Sequence, residues 1–140
     1  MYEKIGYCVV LITVGFLAWQ DIKTRKISIL GLILSGIIAI FYLFVQGKLG
    51  IIHILNCMLP GMLLLVLSLI SGEKIGYGDG ATVLIVGLWT NMEFCIMTLI
   101  IAFFLTGCYA AILLFKKRKE EKIPFIPFLL SAVEVLLFFV

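Results

Sequence analysis

The sequence predicts an all-α membrane protein, a bundle of six transmembrane helices, on three observations. Of its 140 residues 64% are hydrophobic and only 14% are charged. Apolar runs of about 16 to 22 residues, close to what the hydrocarbon layer requires of a helix, follow one another along the chain. The charges fall in the gaps between those runs. A water-soluble fold of this length needs a polar surface that the composition does not supply. Because lipid cannot satisfy backbone N–H and C=O groups, spanning segments must be helices or a closed barrel. Barrel strands alternate apolar and polar residues, and these runs do not.

The first helix is expected over 5–22. Lys4 followed by an apolar stretch from Ile5 to Trp19 has the outline of a signal peptide, but a small-x-small exit is missing, since a cut after Ala18 leaves Phe16 three positions back. Together with the Lys23, Arg25 and Lys26 cluster, this favours a retained spanning helix. Further helices follow at 27–46, 51–71, 80–92, 94–115 and 125–140. The fourth is short: 13 residues rise roughly 20 Å, less than a full crossing.

Charge decides whether it is counted. With six spans, Lys23, Arg25, Lys26, Lys74, Lys116, Lys117, Arg118, Lys119 and Lys122 share one side, leaving only Lys4 and Lys48 of the 11 basic residues opposite. The excess marks that side as cytoplasmic and puts both termini outside. Removing the fourth span would put the Lys116–Lys122 cluster outside, against the rule. A short fourth helix then implies a start below the membrane surface, in a wet cleft. Non-helical backbone at that depth must be buried in protein or line a cavity. The glycine-rich stretch Ser71-Gly72-Glu73-Lys74-Ile75-Gly76-Tyr77-Gly78-Asp79-Gly80 fits that description. Residues 1–140 are read as a single transmembrane domain.

The net charge of +3 does not point to nucleic acid, because the basic residues flank apolar runs as topology signals. Cys8, Cys57, Cys95 and Cys108 lie inside apolar runs without C-x-x-C spacing and read as small apolar residues, not as disulfides or metal ligands. No metal and no cofactor are expected.

Among the eight acidic residues, Asp21 and Asp79 stand out. Asp21 is placed at the C-terminal end of the first helix, where a carboxylate is disfavoured by the exposed carbonyls. Asp79 precedes the fourth helix and would serve as an ordinary N-cap. The six-span topology nevertheless brings the two to the same cytoplasmic depth. Paired carboxylates suit peptide hydrolysis: the ionised one takes a proton from water while the protonated one polarises the scissile carbonyl. Helix dipoles assign Asp79 as base and Asp21 as acid, within a pair that shares its proton. Gly76 and Gly78 would let backbone approach a substrate strand.

Gly76-Tyr77-Gly78-Asp79 resembles the Gly-x-Gly-Asp signature of membrane aspartic proteases, and Asp21 with Lys26-Ile27 resembles the first-loop motif of the type IV prepilin peptidases. Ile123-Pro124-Phe125-Ile126-Pro127-Phe128-Leu129 is similar to a third motif of that family, just before the last helix. The resemblance implies an aspartic endopeptidase with Asp21 and Asp79 as its catalytic pair. Its substrate would be a pilin, pseudopilin, Tad or competence-type precursor with an N-terminal leader and an apolar helix. Cleavage would occur at the cytoplasmic face of a prokaryotic plasma membrane, with lipid as the other partner. The chain looks like the compact form, without the cysteine-rich insert and without methylation. It departs from the family pattern at Ile27-Ser28-Ile29, where Ile-Pro-Asn is frequent, and at Ala81, where a lysine is frequent.

Two other functions fit some residues. A proton-coupled transporter would use Glu134 in the last apolar segment and His53, with Asn56, in the third, since ionisable groups in a bilayer are functional suspects. A non-catalytic structural subunit would use the glycine loop only as a connector.

Overall fold

The structure, a computed structural model, describes residues 1–72, 76–117 and 123–140. Lys74, Arg118, Lys119 and Lys122 of the basic clusters, and Glu73 and Ile75 of the glycine stretch, lie outside the described residues. The described residues form six α-helices: α1 (Tyr2–Thr24), α2 (Ile29–Val45), α3 (Ile51–Ile70), α4 (Tyr77–Trp89), α5 (Met92–Phe115) and α6 (Ile126–Phe139). Among the described residues there is no strand.

Local chemistry sets the ends. Ser28 is extended, at φ −70° and ψ 107°, and its Oγ accepts the Gly31 N–H at 3.2 Å, so α2 starts at Ile29 and not at 27. Asn91 caps α5 in the same way, its Oδ1 accepting the Phe94 N–H at 2.8 Å. The extended backbone at Asn91 closes α4 at Trp89, earlier than expected. Arg25 ends α1 in the left-handed region, at φ 52°, with its N–H on the Asp21 carbonyl at 2.9 Å. The Gln20 side chain then accepts the Ser28 N–H at 3.1 Å, tying the end of α1 to the start of α2.

α1, α3 and α5 are long and apolar enough to cross a membrane, while α2 and α6 are shorter apolar helices. Large apolar side chains such as Ile12, Phe16, Ile37, Phe41, Leu63, Ile100 and Phe104 point outward. An apolar exterior of that extent belongs in lipid. Brief α4 occupies the interior: it packs against α1, α2, α3 and α5, and eight of its 13 residues are buried. Length therefore costs it nothing, because protein rather than lipid surrounds it.

Successive helices run in alternating directions. The ends of α1 and α5 that carry Tyr7 and Asn91 meet the α2 and α4 ends that carry Tyr42 and Trp89. Asp21, Ile29, Asp79 and Phe125 gather at the other end. At the first end Tyr42 donates to the Tyr2 carbonyl and its ring packs at a tilt against Trp89, 5.1 Å between centroids.

α2 packs chiefly on α4, and one buried polar bond joins them, from Trp89 Nε1–H to Ser35 Oγ at 3.1 Å. Ser35→Ala leaves the indole N–H without its acceptor. The expected loss is about 1 kcal/mol, read from the unfolding midpoint in detergent. An unchanged midpoint would show that this bond holds nothing together.

Candidate active site

α4 begins three residues before the sequence suggests, and this changes what Asp79 does. Gly76, extended at φ −64° and ψ 136°, is the N-cap, so Tyr77 to Gly80 are helical and Asp79 sits inside the first turn. The expected reading of Asp79 as a residue preceding the helix is thereby corrected. At the third helical position a carboxylate can reach back to the N-cap amide, as in a capping box. Here the Gly76 N–H faces the Asp79 carboxyl, while the Asp79 N–H donates to the Gly76 carbonyl at 3.1 Å.

Asp21 lies in the last turn of α1, as expected. The sequence does not reveal what lies against it. α6 packs along α1, and the backbone N–H of Ile126, the first residue of α6, faces the Asp21 carboxyl. Each aspartate therefore meets a helix N-terminus. The dipole contrast that made Asp79 the base and Asp21 the acid disappears, because the α6 dipole opposes that of α1 at Asp21. Asp21 Oδ2 is buried and makes no hydrogen bond to the described residues.

The two carboxyls, 58 positions apart in sequence (79 − 21), lie within electrostatic reach of each other. Both line one open cleft of about 1210 Å³, larger than the ~300–1,000 Å³ usual for small-ligand sites and roomy enough for a polypeptide segment. Its walls are mostly apolar: Ile27 from the first loop, Leu32 and Ile33 from α2, Leu64 from α3, Phe103 from α5 and Phe125 before α6. Among the described lining residues Arg25 is the one cation, and its charge acts on Asp21. Ala81 also borders the cleft.

Gly78 has a packing reason distinct from substrate approach. A Cβ there would collide with the Ile27 side chain, meeting its Cδ1 head-on and its branched Cβ at 3.3 Å. The first turn of α4 is thus pressed against the loop that follows Asp21. Gly78→Ala is expected to separate the two aspartates and lower activity about tenfold, and Ile27→Ala in the same chain to restore most of it. A defect that Ile27→Ala leaves untouched would place the role of Gly78 elsewhere.

The other candidates do not join this site. His53 borders a small cavity of about 30 Å³ at the opposite end of the bundle, room for about one water, beside Tyr42 and Asn91. Its Nε2 lies 3.7 Å from Cys57 Sγ. Asn56 is exposed on α3, and Glu134 is exposed on α6. All four cysteines are free thiols, Cys57 and Cys95 buried, Cys8 and Cys108 exposed. Among the described residues no group of three or more His, Cys, Asp or Glu side chains could hold a metal ion. Arg25 and the Ile126 amide escaped the sequence reading as parts of the site; the short gap between α1 and α2, which keeps residues 25 to 28 near Asp21, could have signalled Arg25.

A helical bundle with an apolar exterior and a polypeptide-sized cleft holding two carboxyls defines the class. Residues 8–111 match the model of the type IV leader peptidase family, and the chain belongs to that family. No curated protein and no solved structure gives a significant match.

Proposed function

We propose that the protein is an aspartic endopeptidase that removes the leader peptide from type IV prepilin-like precursors, with Asp21 and Asp79 as its catalytic carboxyls. One observation carries this reading: two carboxyls remote in sequence line one cleft large enough for a peptide, within electrostatic reach of each other, in a chain of the leader peptidase family. In this mechanism one carboxylate takes a proton from a water molecule while the other, protonated, donates to the scissile carbonyl oxygen. Water attacks the carbonyl carbon, and the proton returned to the leaving amide nitrogen completes cleavage. Which aspartate starts as base is set by the shared proton of the pair.

All six helices span the membrane in this proposal, with both termini outside. The cleft opens on the cytoplasmic face of a prokaryotic plasma membrane, the side that carries Lys23, Arg25, Lys26, Lys116 and Lys117. The apolar cleft walls suit the beginning of the precursor's apolar helix, and the aspartates the peptide bond just ahead of it. The test is cleavage of a prepilin-type precursor by the purified full-length protein in proteoliposomes, with product masses locating the cut. A cut at the leader junction is expected, whereas an intact precursor after prolonged incubation would overturn the proposal.

A further inference from the structure

The segment Ile123-Pro124-Phe125-Ile126-Pro127-Phe128-Leu129 supplies no side chain to the reaction proposed above, yet Ile123, Pro124 and Phe125 border the cleft. An α-helix leaves its first N–H groups without intrahelical acceptors. At α6 they can be followed one at a time. Pro127, the second helical residue, has no N–H. The Phe128 N–H donates to the Phe125 carbonyl at 3.1 Å, and the Leu129 N–H to the same oxygen at 3.0 Å. Phe125, the N-cap, provides no side-chain acceptor.

Among the first four helical residues only the Ile126 N–H is left without a backbone acceptor. Ile126 is 0% exposed, so water does not reach it, and an unpaired buried donor costs about 1–3 kcal/mol. The group that it faces is the Asp21 carboxyl. The segment thus aims a single amide, and the N-terminal end of the α6 dipole behind it, at one aspartate. Pro127 removes the nearest amide that could compete for the same carboxyl.

We infer that the Ile123–Leu129 segment positions Asp21 for catalysis: the Ile126 N–H clamps the carboxyl in one rotamer within the cleft that it shares with Asp79. The inference rests on Asp21 acting in peptide hydrolysis. It gives the motif a role within the site, as a backbone clamp in which no motif side chain touches the reacting atoms. Without the clamp Asp21 can turn within the cleft and lose its alignment with Asp79.

The test removes one proton donor and weakens one acceptor, the Phe125 carbonyl, which becomes that of an ester. Ile126 is replaced, in the full-length chain, by 2-hydroxy-3-methylpentanoic acid, which keeps the side chain and exchanges the N–H for an ester oxygen. The corresponding ester at Val133, buried in the interior of α6, is the control for damage to the helix. Cleavage in proteoliposomes is expected to lose about tenfold in kcat at position 126, with KM within twofold of the unmodified protein. The Val133 ester should lower the unfolding midpoint without changing kcat. An unchanged kcat at 126, or an equal loss at both positions, overturns the inference and leaves the peptidase proposal standing. Wild-type cleavage by Asp21→Asn would instead overturn the catalytic role proposed for Asp21, and the inference with it.

Discussion

Replacing either Asp21 or Asp79 by asparagine is expected to lower precursor cleavage by about a thousandfold or more, with the protein still folded. General acid–base catalysis contributes ~10²–10⁴, and in a pair that shares a proton the loss of one carboxyl disables the other. Asparagine is the informative replacement because of what Asp79 does structurally. Its carboxyl faces the Gly76 N–H at the start of α4, and an amide oxygen can accept that bond equally well. Asp79→Asn therefore keeps the cap and removes the acid–base chemistry, whereas Asp79→Ala removes both. If Asp79 were only a helix-capping residue, Asp79→Asn would cleave normally and Asp79→Ala would melt at lower temperature. For Asp21, the asparagine amide still offers an oxygen to the Ile126 N–H, so a fold defect is not expected there either. Retained cleavage by both asparagine variants would end the proposal of an aspartic dyad.

Gly61→Ala should be strongly damaging although it lies away from the cleft. A Cβ at Gly61 would lie 2.5 Å from the backbone N and Cα of Leu84, atoms that cannot rotate aside. α3 and α4 touch there backbone to backbone, the close contact that small residues permit between helices in membranes. The added methyl must drive α4 outward, at a cost of about 3 kcal/mol in the detergent unfolding equilibrium. Since α4 carries Asp79, cleavage should fall with stability. Gly107→Ala is the matched control, because a Cβ there meets nothing within 4 Å, and it should be neutral by both measures. Equal behaviour of the two variants would mean that α3 and α4 are not closely packed at Leu84.

Much of this was legible from residue order. The six expected helices all form, with ends within three residues of those observed, because long apolar runs and charged gaps are one-dimensional signals. The six-span topology alone puts Asp21 and Asp79 at one end of the bundle. Missed features are all contacts that no pattern announces. Placing the start of the fourth helix at Gly80 put Asp79 outside it, because glycines at 76 and 78 read as loop; in the fold they admit an extended N-cap and the pressing side chain of Ile27.

The sequence by itself determined that the chain lives in lipid, how many helices it forms, and which two carboxyls stand at one end of the bundle. Only the tertiary structure decided which helix is central, that Asp79 lies within the first turn of α4, and that α6 presents an amide to Asp21. In water a helix betrays its buried face by amphipathic periodicity. In a membrane the lipid-facing and protein-facing sides are both apolar, so that signal is lost and three-dimensional contact alone distinguishes them.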